Sequence, residues 1–476
     1  MQTCGLRPMN VDWLAALTAI CIAQSASAAP TDPPRDEAVA APRDMSGSPR
    51  ASPSAPSGVL APRTERVTAG NPAVIRGRAR VGIEPVDVAL AVPRAIFYPL
   101  YLFHEYALRR PLVALVSVME STHLHVWIPR ILHPIRQISW SPAIFYVSGY
   151  RPLFGFNVTV SDIGFRGHEM RARFMTGGAH VWNVMLQDRV AIGKGHLGLR
   201  GSYFDRPDLT FFGLGPQSRD DVRARYRLQR RELAAFGDWS PSRHFGFEVS
   251  TSYRIDDTGP GDHDSVDAHF DANDASQLPG FGGLQLWFSH ATLRVDSRIA
   301  SLDRTGVRLE LDSTFGLDPT DVQRRFVVGS AELQGAVEVI RPGRVLVGSL
   351  YVADSSDLGG EPVPFTYLPT LGGPRHYGFQ PGRFTGQSAA VAQVEYHYPV
   401  YSHLDAEWIT SVGNVFGPHL RGFDPKLLTA SFSVGFRTRF LGSDAFELLL
   451  GVGTTTFDQP FGIDSFRFAL SVDRGL

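Results

Sequence analysis

The side chains with chemical potential are concentrated in a few places. Asp256, Asp257, Asp262, Asp264, Asp267, Asp271 and Asp274 crowd one segment, with His263 and His269 among them. Carboxylates of this density suit calcium, but the spacing fits no EF-hand loop, and Gly259 and Gly261 loosen the segment, so a solvated surface loop is the plainer reading. Arg223, Arg225 and Arg227 alternate with Tyr226 and Leu228, which places the three guanidinium groups on one face of a strand. They read either as a solvated wall paired with neighbouring acids or as a positive field for anions and lipid phosphate. No G-x-S-x-G elbow, H-E-x-x-H pair or Walker loop occurs. The only cysteines, Cys4 and Cys21, lie near the N-terminus, so the remainder of the chain has no thiol chemistry. These features lead to expectations of no enzyme activity, no metal site and no cofactor.

The elements around these residues are of three kinds. Lys and Arg total 46 against 47 Asp and Glu, a balance that argues against a nucleic-acid binder working by bulk charge. Residues 1–28 read as an export signal: an apolar run from Trp13 to Ala23 is followed by Ala26-Ser27-Ala28, a small-residue cleavage site. Residues 29–75, rich in Pro, Ala, Ser and Arg, carry too few large apolar side chains to offset ordering entropy and read as a disordered tail. Residues 76–139 show helical periodicity through Ala95-Ile96-Phe97, Leu100-Tyr101-Leu102-Phe103 and Tyr106-Ala107-Leu108, with a break at Pro111, and read as a helical periplasmic segment.

From residue 140 to 476 the pattern changes to a period of two. Phe466, Phe468, Leu470 and Val472 alternate with Arg467, Ala469, Ser471 and Asp473. Val307, Leu309 and Leu311 alternate with Arg308, Glu310 and Asp312, and Ala392, Val394, Tyr396 and Tyr398 with Gln393, Glu395 and His397. No stretch is long and apolar enough for a spanning helix. An outer-membrane barrel satisfies both faces, with lipid outside and a polar lumen inside. The expected fold is all-β: a transmembrane antiparallel β-barrel of about sixteen strands, preceded by a short helical segment. Short turns at Asp238–Arg243, Ser301–Gly306, Arg341–Gly343, Pro399–Ser402 and Leu441–Asp444 alternate with long loops at Asp205–Asp220, Asp256–Gly280, Asp354–Gly386, Gly417–Lys426 and Asp458–Gly462. Trp182, Tyr203, Trp239, Tyr253, Tyr351, Tyr401 and Trp408 recur near strand ends as an aromatic girdle would.

One loop carries a family likeness. Leu371-Gly372-Gly373-Pro374-Arg375-His376-Tyr377-Gly378-Phe379-Gln380-Pro381-Gly382-Arg383-Phe384 resembles the sixth external loop of the BamA/TamA, or bacterial surface antigen, outer-membrane family. The strand after it, Val394 to Val400, and the segment Phe211-Phe212-Gly213-Leu214-Gly215-Pro216-Gln217-Ser218 are similar to that family as well. The resemblance implies a loop folded into the lumen, with Arg375, Tyr377, Gly378, Phe379, Arg383 and Phe384 in structural or gating roles. It also implies work on the insertion or translocation of proteins or lipids, in contact with outer-membrane lipid and a periplasmic or membrane protein partner. Two positions depart from the family pattern. Tyr377 stands where the family has an arginine, and Ser411 where it has the aspartate that pairs with that arginine inside the lumen. No periplasmic POTRA module is recognisable between Gly70 and Ile138. Both departures leave open a passive pore or structural barrel, and an outer-membrane hydrolase built from dispersed residues is a further alternative. The location expected is the outer membrane of a Gram-negative bacterium.

Overall fold

The computed structural model describes residues 137–218, 223–262, 278–298, 305–339, 343–401, 404–440 and 443–472. The export signal, the Pro-rich tail, nearly all of the helical segment, and Asp264, Asp267, Asp271, Asp274, His263 and His269 of the acidic loop lie outside the described residues.

Period-two patterning produces strands throughout. They are β1 (Ile138–Val147), β2 (Leu153–Ser161), β3 (His168–Thr176), β4 (Trp182–Ile192), β5 (Gly195–Phe211), β6 (Ala224–Ser242), β7 (Phe245–Pro260), β8 (Gly283–Asp296) and β9 (Gly306–Leu317). There follow β10 (Arg325–Glu338), β11 (Val345–Asp357), β12 (Thr370–Leu371), β13 (Phe384–Thr385), β14 (Ser388–Tyr401), β15 (Leu404–Phe416), β16 (Thr429–Phe440), β17 (Ser443–Thr454) and β18 (Ile463–Val472). Sixteen of these close an antiparallel barrel in which each strand pairs with its sequence neighbours and β18 pairs with β1. Closure satisfies the backbone N–H and C=O groups between strands, which hydrocarbon demands because it offers them no alternative partner. The remaining two, β12 and β13, form a hairpin within the connection from β11 to β14, the sixth external loop.

Alternation decides which face each side chain meets. Leu197, Leu199, Leu233, Val249, Leu333, Leu350 and Phe466 point outward and are exposed, as a lipid-facing belt requires. The opposite set faces the lumen and is polar, with Arg294 on Glu310 and Thr292 on Asp312 across β8 and β9. Trp239, and Tyr253 packed on Trp287, belong to the outward face, as does Trp408 beside Tyr396. Tyr351 does not belong to the girdle. It points into the lumen, where the Arg375 guanidinium lies 4.0 Å from its ring centre.

The external loops are shorter than the sequence suggests. Strand β5 continues to Phe211 and β7 to Pro260, through segments expected to be loop. A bulge between Arg206 and Leu209 absorbs Pro207, whose missing N–H would otherwise break the ladder. The buried pair Arg206–Asp208, at 2.7 Å, sits at that bulge and also holds the β1–β2 turn: Asp208 accepts from the Arg151 N–H at 2.6 Å.

Candidate functional site: the seated sixth loop

The loop enters the lumen as a small folded unit. Thr370 pairs with Thr385 and Leu371 with Phe384, so both ends of the tip are clamped in β12 and β13. Within the tip, the Gly373 N–H donates to Phe379 O and the Phe379 N–H to His376 O. At Gly372, φ is 110° and a Cβ would fall 1.9 Å from Gln380 O, so only glycine closes this turn.

Leu371, Phe379 and Phe384 are fully buried against Ala353, Ala389, Val391 and Val415, on the inner faces of β11, β14 and β15. Burying each side chain contributes about 2 kcal/mol to seating. The small residues on the wall make this possible, because larger side chains there would fill the space taken by the loop.

A second recess lies on β17. Gly451 and Gly453 face the lumen, and the loop backbone occupies the space their missing side chains leave. A Cβ on Gly451 would lie 2.8 Å from Tyr377 O, and one on Gly453 would lie 2.3 Å from the Phe379 ring. Gly378 completes the fit, since a Cβ there would meet Val452 O at 2.1 Å. The signal for this seat was present in the alternation Gly451-Val452-Gly453, two glycines on one face of a strand, and the sequence reading passed over it.

His376 is the polar centre of the seat and has no exposed surface. Its Nδ1 lies 2.7 Å from Ser411 Oγ and its Nε2 2.9 Å from Thr429 Oγ1. Thr429 donates its hydroxyl to Gly413 O, so it accepts from an Nε2–H. Nδ1 is then the acceptor for Ser411, which itself lies 2.7 Å from Ser431. That assignment, made from the network, satisfies a neutral imidazole completely. Burial without a nearby counter-charge pushes the His376 pKa down to about 3. Ser411 therefore partners His376, one position before Tyr377, the residue that stands in the family's arginine position. Tyr377 is instead held through its backbone, where Arg467 donates to its carbonyl at 3.2 Å.

The two loop arginines differ. Arg375 is largely exposed, stacked on Tyr351 and 3.9 Å from Glu332. Arg383 is buried. It pairs with Asp464 of β18 at 3.0 Å and donates to Ser218 O and Oγ, both at 2.9 Å. It thereby fastens the sixth loop to the Phe-Gly-Leu-Gly segment of the third, helped by the Gly215 N–H on Thr385 O.

Within β6, Arg225 and Arg227 are not in the inward-facing set. In β6 the inward set is Ala224, Tyr226, Leu228 and Arg230: Tyr226 packs on Phe365 of the sixth loop, and Arg230 pairs with Asp256 beside Tyr367. Arg227 shares the outward face with exposed Leu233 and Trp239 and is paired there with Asp205 at 2.7 Å, whereas Arg225 donates to Gly149 O of the β1–β2 turn at 3.4 Å and Arg223 precedes the strand. Alternation sorts β6 into two faces; which face is inside depends on closure of the barrel.

The seam between β18 and β1 is irregular. Among the described residues, pairing runs only from Ile144–Val472 to Val147–Ala469. The outer part of β18, Ile463 to Phe468, extends past the end of β1; across the seam, Ser148 donates its N–H to Phe468 O and accepts the Phe468 N–H on its Oγ. The sixth loop stands behind this edge. Ser465 donates to Gly378 O at 2.6 Å on the β18 side, and Tyr150 of the β1–β2 turn donates to Pro381 O at 2.8 Å on the other.

Fold and seat together define a sixteen-stranded outer-membrane β-barrel whose lumen holds its own sixth external loop. No protein-family model and no curated protein matches the sequence. Among solved structures, the barrel is similar to BamA from Haemophilus ducreyi lacking POTRA domains 1-3. The TM-score is 0.52 at 14% identity, over 71% of this chain and 70% of that one. CdiB from Acinetobacter baumannii aligns with a TM-score of 0.46 at 11% identity, over 71% of this chain and 60% of that one. CdiB from Escherichia coli aligns at 0.47 and 12%, over 71% and 62%. At these identities the likeness to BamA is one of fold.

Proposed function

We propose that this barrel assists insertion or translocation of proteins or lipids at the outer membrane by opening its wall between β18 and β1, with the sixth loop as the latch. The work is mechanical and needs no catalytic residue. The observation that carries this reading is the unpaired outer edge of β18 with the loop bonded to both sides of the notch. A strand edge without a partner is a site where another chain can add. The loop's bonds to Ser465 and Tyr150 oppose separation, so unseating it lowers the cost of opening. Outer-membrane lipid is the surrounding medium, and a periplasmic protein is the partner that would deliver a client.

The rival is a passive or structural barrel. It is favoured by how firmly the loop is seated, with His376 and three large apolar side chains on buried partners and Arg383 ion-paired to Asp464. The two readings separate in one experiment. Tyr146 and Leu470 are directly opposite across the seam, and a Tyr146→Cys, Leu470→Cys pair would join them. Outer-membrane proteins and leaflet lipids are quantified in a deletion strain carrying either the wild type or the double variant, oxidised or reduced. The assembly reading expects the deletion to deplete other barrels or alter the lipids, with rescue lost only when the seam is closed. Rescue by the oxidised variant, or an unchanged membrane in the deletion strain, supports the structural barrel.

A further inference from the structure

A second site lies at the opposite, periplasmic end of the lumen, away from the sixth loop. A cavity of about 330 Å³ is set into the wall where β3, β4, β5 and β8 bring Arg171, Arg189, Arg200 and Arg294 together. Their charges are incompletely matched. Arg171 and Arg189 share one oxygen of Glu169, and Arg294 shares Glu310 with Arg308. Arg200 stacks 5.8 Å from the Phe236 ring centre and has no hydrogen-bonded or ion-paired partner among the described residues. The lining also holds two carboxylates, Glu248 and Asp238, the latter 3.0 Å from the His196 imidazole. Just above, Glu232 pairs with Arg254 at 2.9 Å and also feels the Arg200 charge without bonding to it. Arg171, Arg189, Arg200, Arg294 and Arg308 thus face four carboxylates, Glu169, Glu310, Glu248 and Asp238.

From this arrangement we propose that the cavity binds a phosphate group presented from the periplasm. Guanidinium forks suit tetrahedral oxyanions, and a low-dielectric wall focuses the field of several arginines into one recess. The volume accommodates a phosphate with a small substituent, and the mostly polar lining suits a lipid headgroup, not an acyl chain. Arg200 supplies the free fork, with Arg189 and Arg294 turning part of their donor set towards the anion. The site does not depend on the seam opening and stands whether or not the barrel assembles clients.

The test uses the purified full chain in phosphate-free detergent at low ionic strength. Inorganic phosphate and glycerol phosphate are titrated while phosphorus NMR line broadening is followed. The chain is then placed in nanodiscs of phosphatidylcholine with or without phosphatidylglycerol. Saturable broadening of the soluble probes, weakened about tenfold by Arg200→Gln and less by Arg200→Lys, supports a site for free phosphate esters. Selective broadening of the phosphatidylglycerol signal, lost in the same variant, supports a headgroup as the source. Heat-modifiable gel migration shows that each variant is folded, and Arg189→Gln serves if Arg200→Gln is not. Absence of both signals, or binding equal to wild type in the folded variants, overturns the proposal.

Discussion

Acidification should loosen the sixth loop, and His376 should be the reason. The imidazole is neutral in its seat, with a pKa pushed from 6.5 down to about 3 by burial. An unseated loop exposes it to water and restores the ordinary value. The sign follows from the depressed pKa: the unseated form binds the extra proton, so seating is at full strength above pH 6.5 and weakens as pH falls towards 3. The whole span corresponds to about 5 kcal/mol, and at about pH 4.5 roughly 3 kcal/mol is lost, which raises the unseated population about a hundredfold. Hydrogen exchange reads this directly. The Gly373 and Phe379 amides are bonded only within the seated tip, so their protection factors, corrected for intrinsic rates, should fall between neutral pH and about pH 4.5. His376→Gln removes the titration and should flatten the slope. That control leaves the Arg383–Asp464 pair in place. Equal protection at both pH values, or the same slope in His376→Gln, would refute the argument.

Other substitutions test the remaining contacts. Gly453→Ala forces a methyl to within 2.3 Å of the Phe379 ring, and overpacking of about 1–3 kcal/mol should expose the tip to protease without unfolding the barrel. Arg383→Leu leaves Asp464 and Ser218 without their shared donor and should cost about 2–4 kcal/mol, seen as joint loss of exchange protection in the third and sixth loops. Leu233→Arg places a charge on the lipid face and should cost about 2–4 kcal/mol in a denaturant titration of the refolded barrel, whereas Ser250→Arg, on the lumen face, should be nearly neutral.

Much of the fold was legible because a membrane barrel imposes a local rule. Alternation sorts side chains into two faces, and pairing with sequence neighbours follows from short turns. The sixth loop was legible by resemblance, which named Arg375, Tyr377, Gly378, Phe379, Arg383 and Phe384 before the structure brought them into the lumen. The partner of Ser411 was not legible. A one-residue difference in how a compact tip is folded directs His376, not Tyr377, towards β15, and backbone turns of that kind depend on tertiary packing. The long strands β5 and β7 were misread as loop because Pro207 and the run of aspartates look like turn residues; a bulge and cross-strand arginines accommodate them.

The sequence by itself determined an all-β barrel and its outward apolar set, while the loop that enters it was implied only by resemblance. The first two depend on nearest-neighbour patterning, and a period of two is visible without knowing what lies opposite. Only the tertiary structure decided which face of β6 is inside, how Gly451 and Gly453 become a seat, and how Arg171, Arg189, Arg200 and Arg294 converge. Each joins residues far apart in the chain, and closure of the sheet is the event that brings them within a few ångströms.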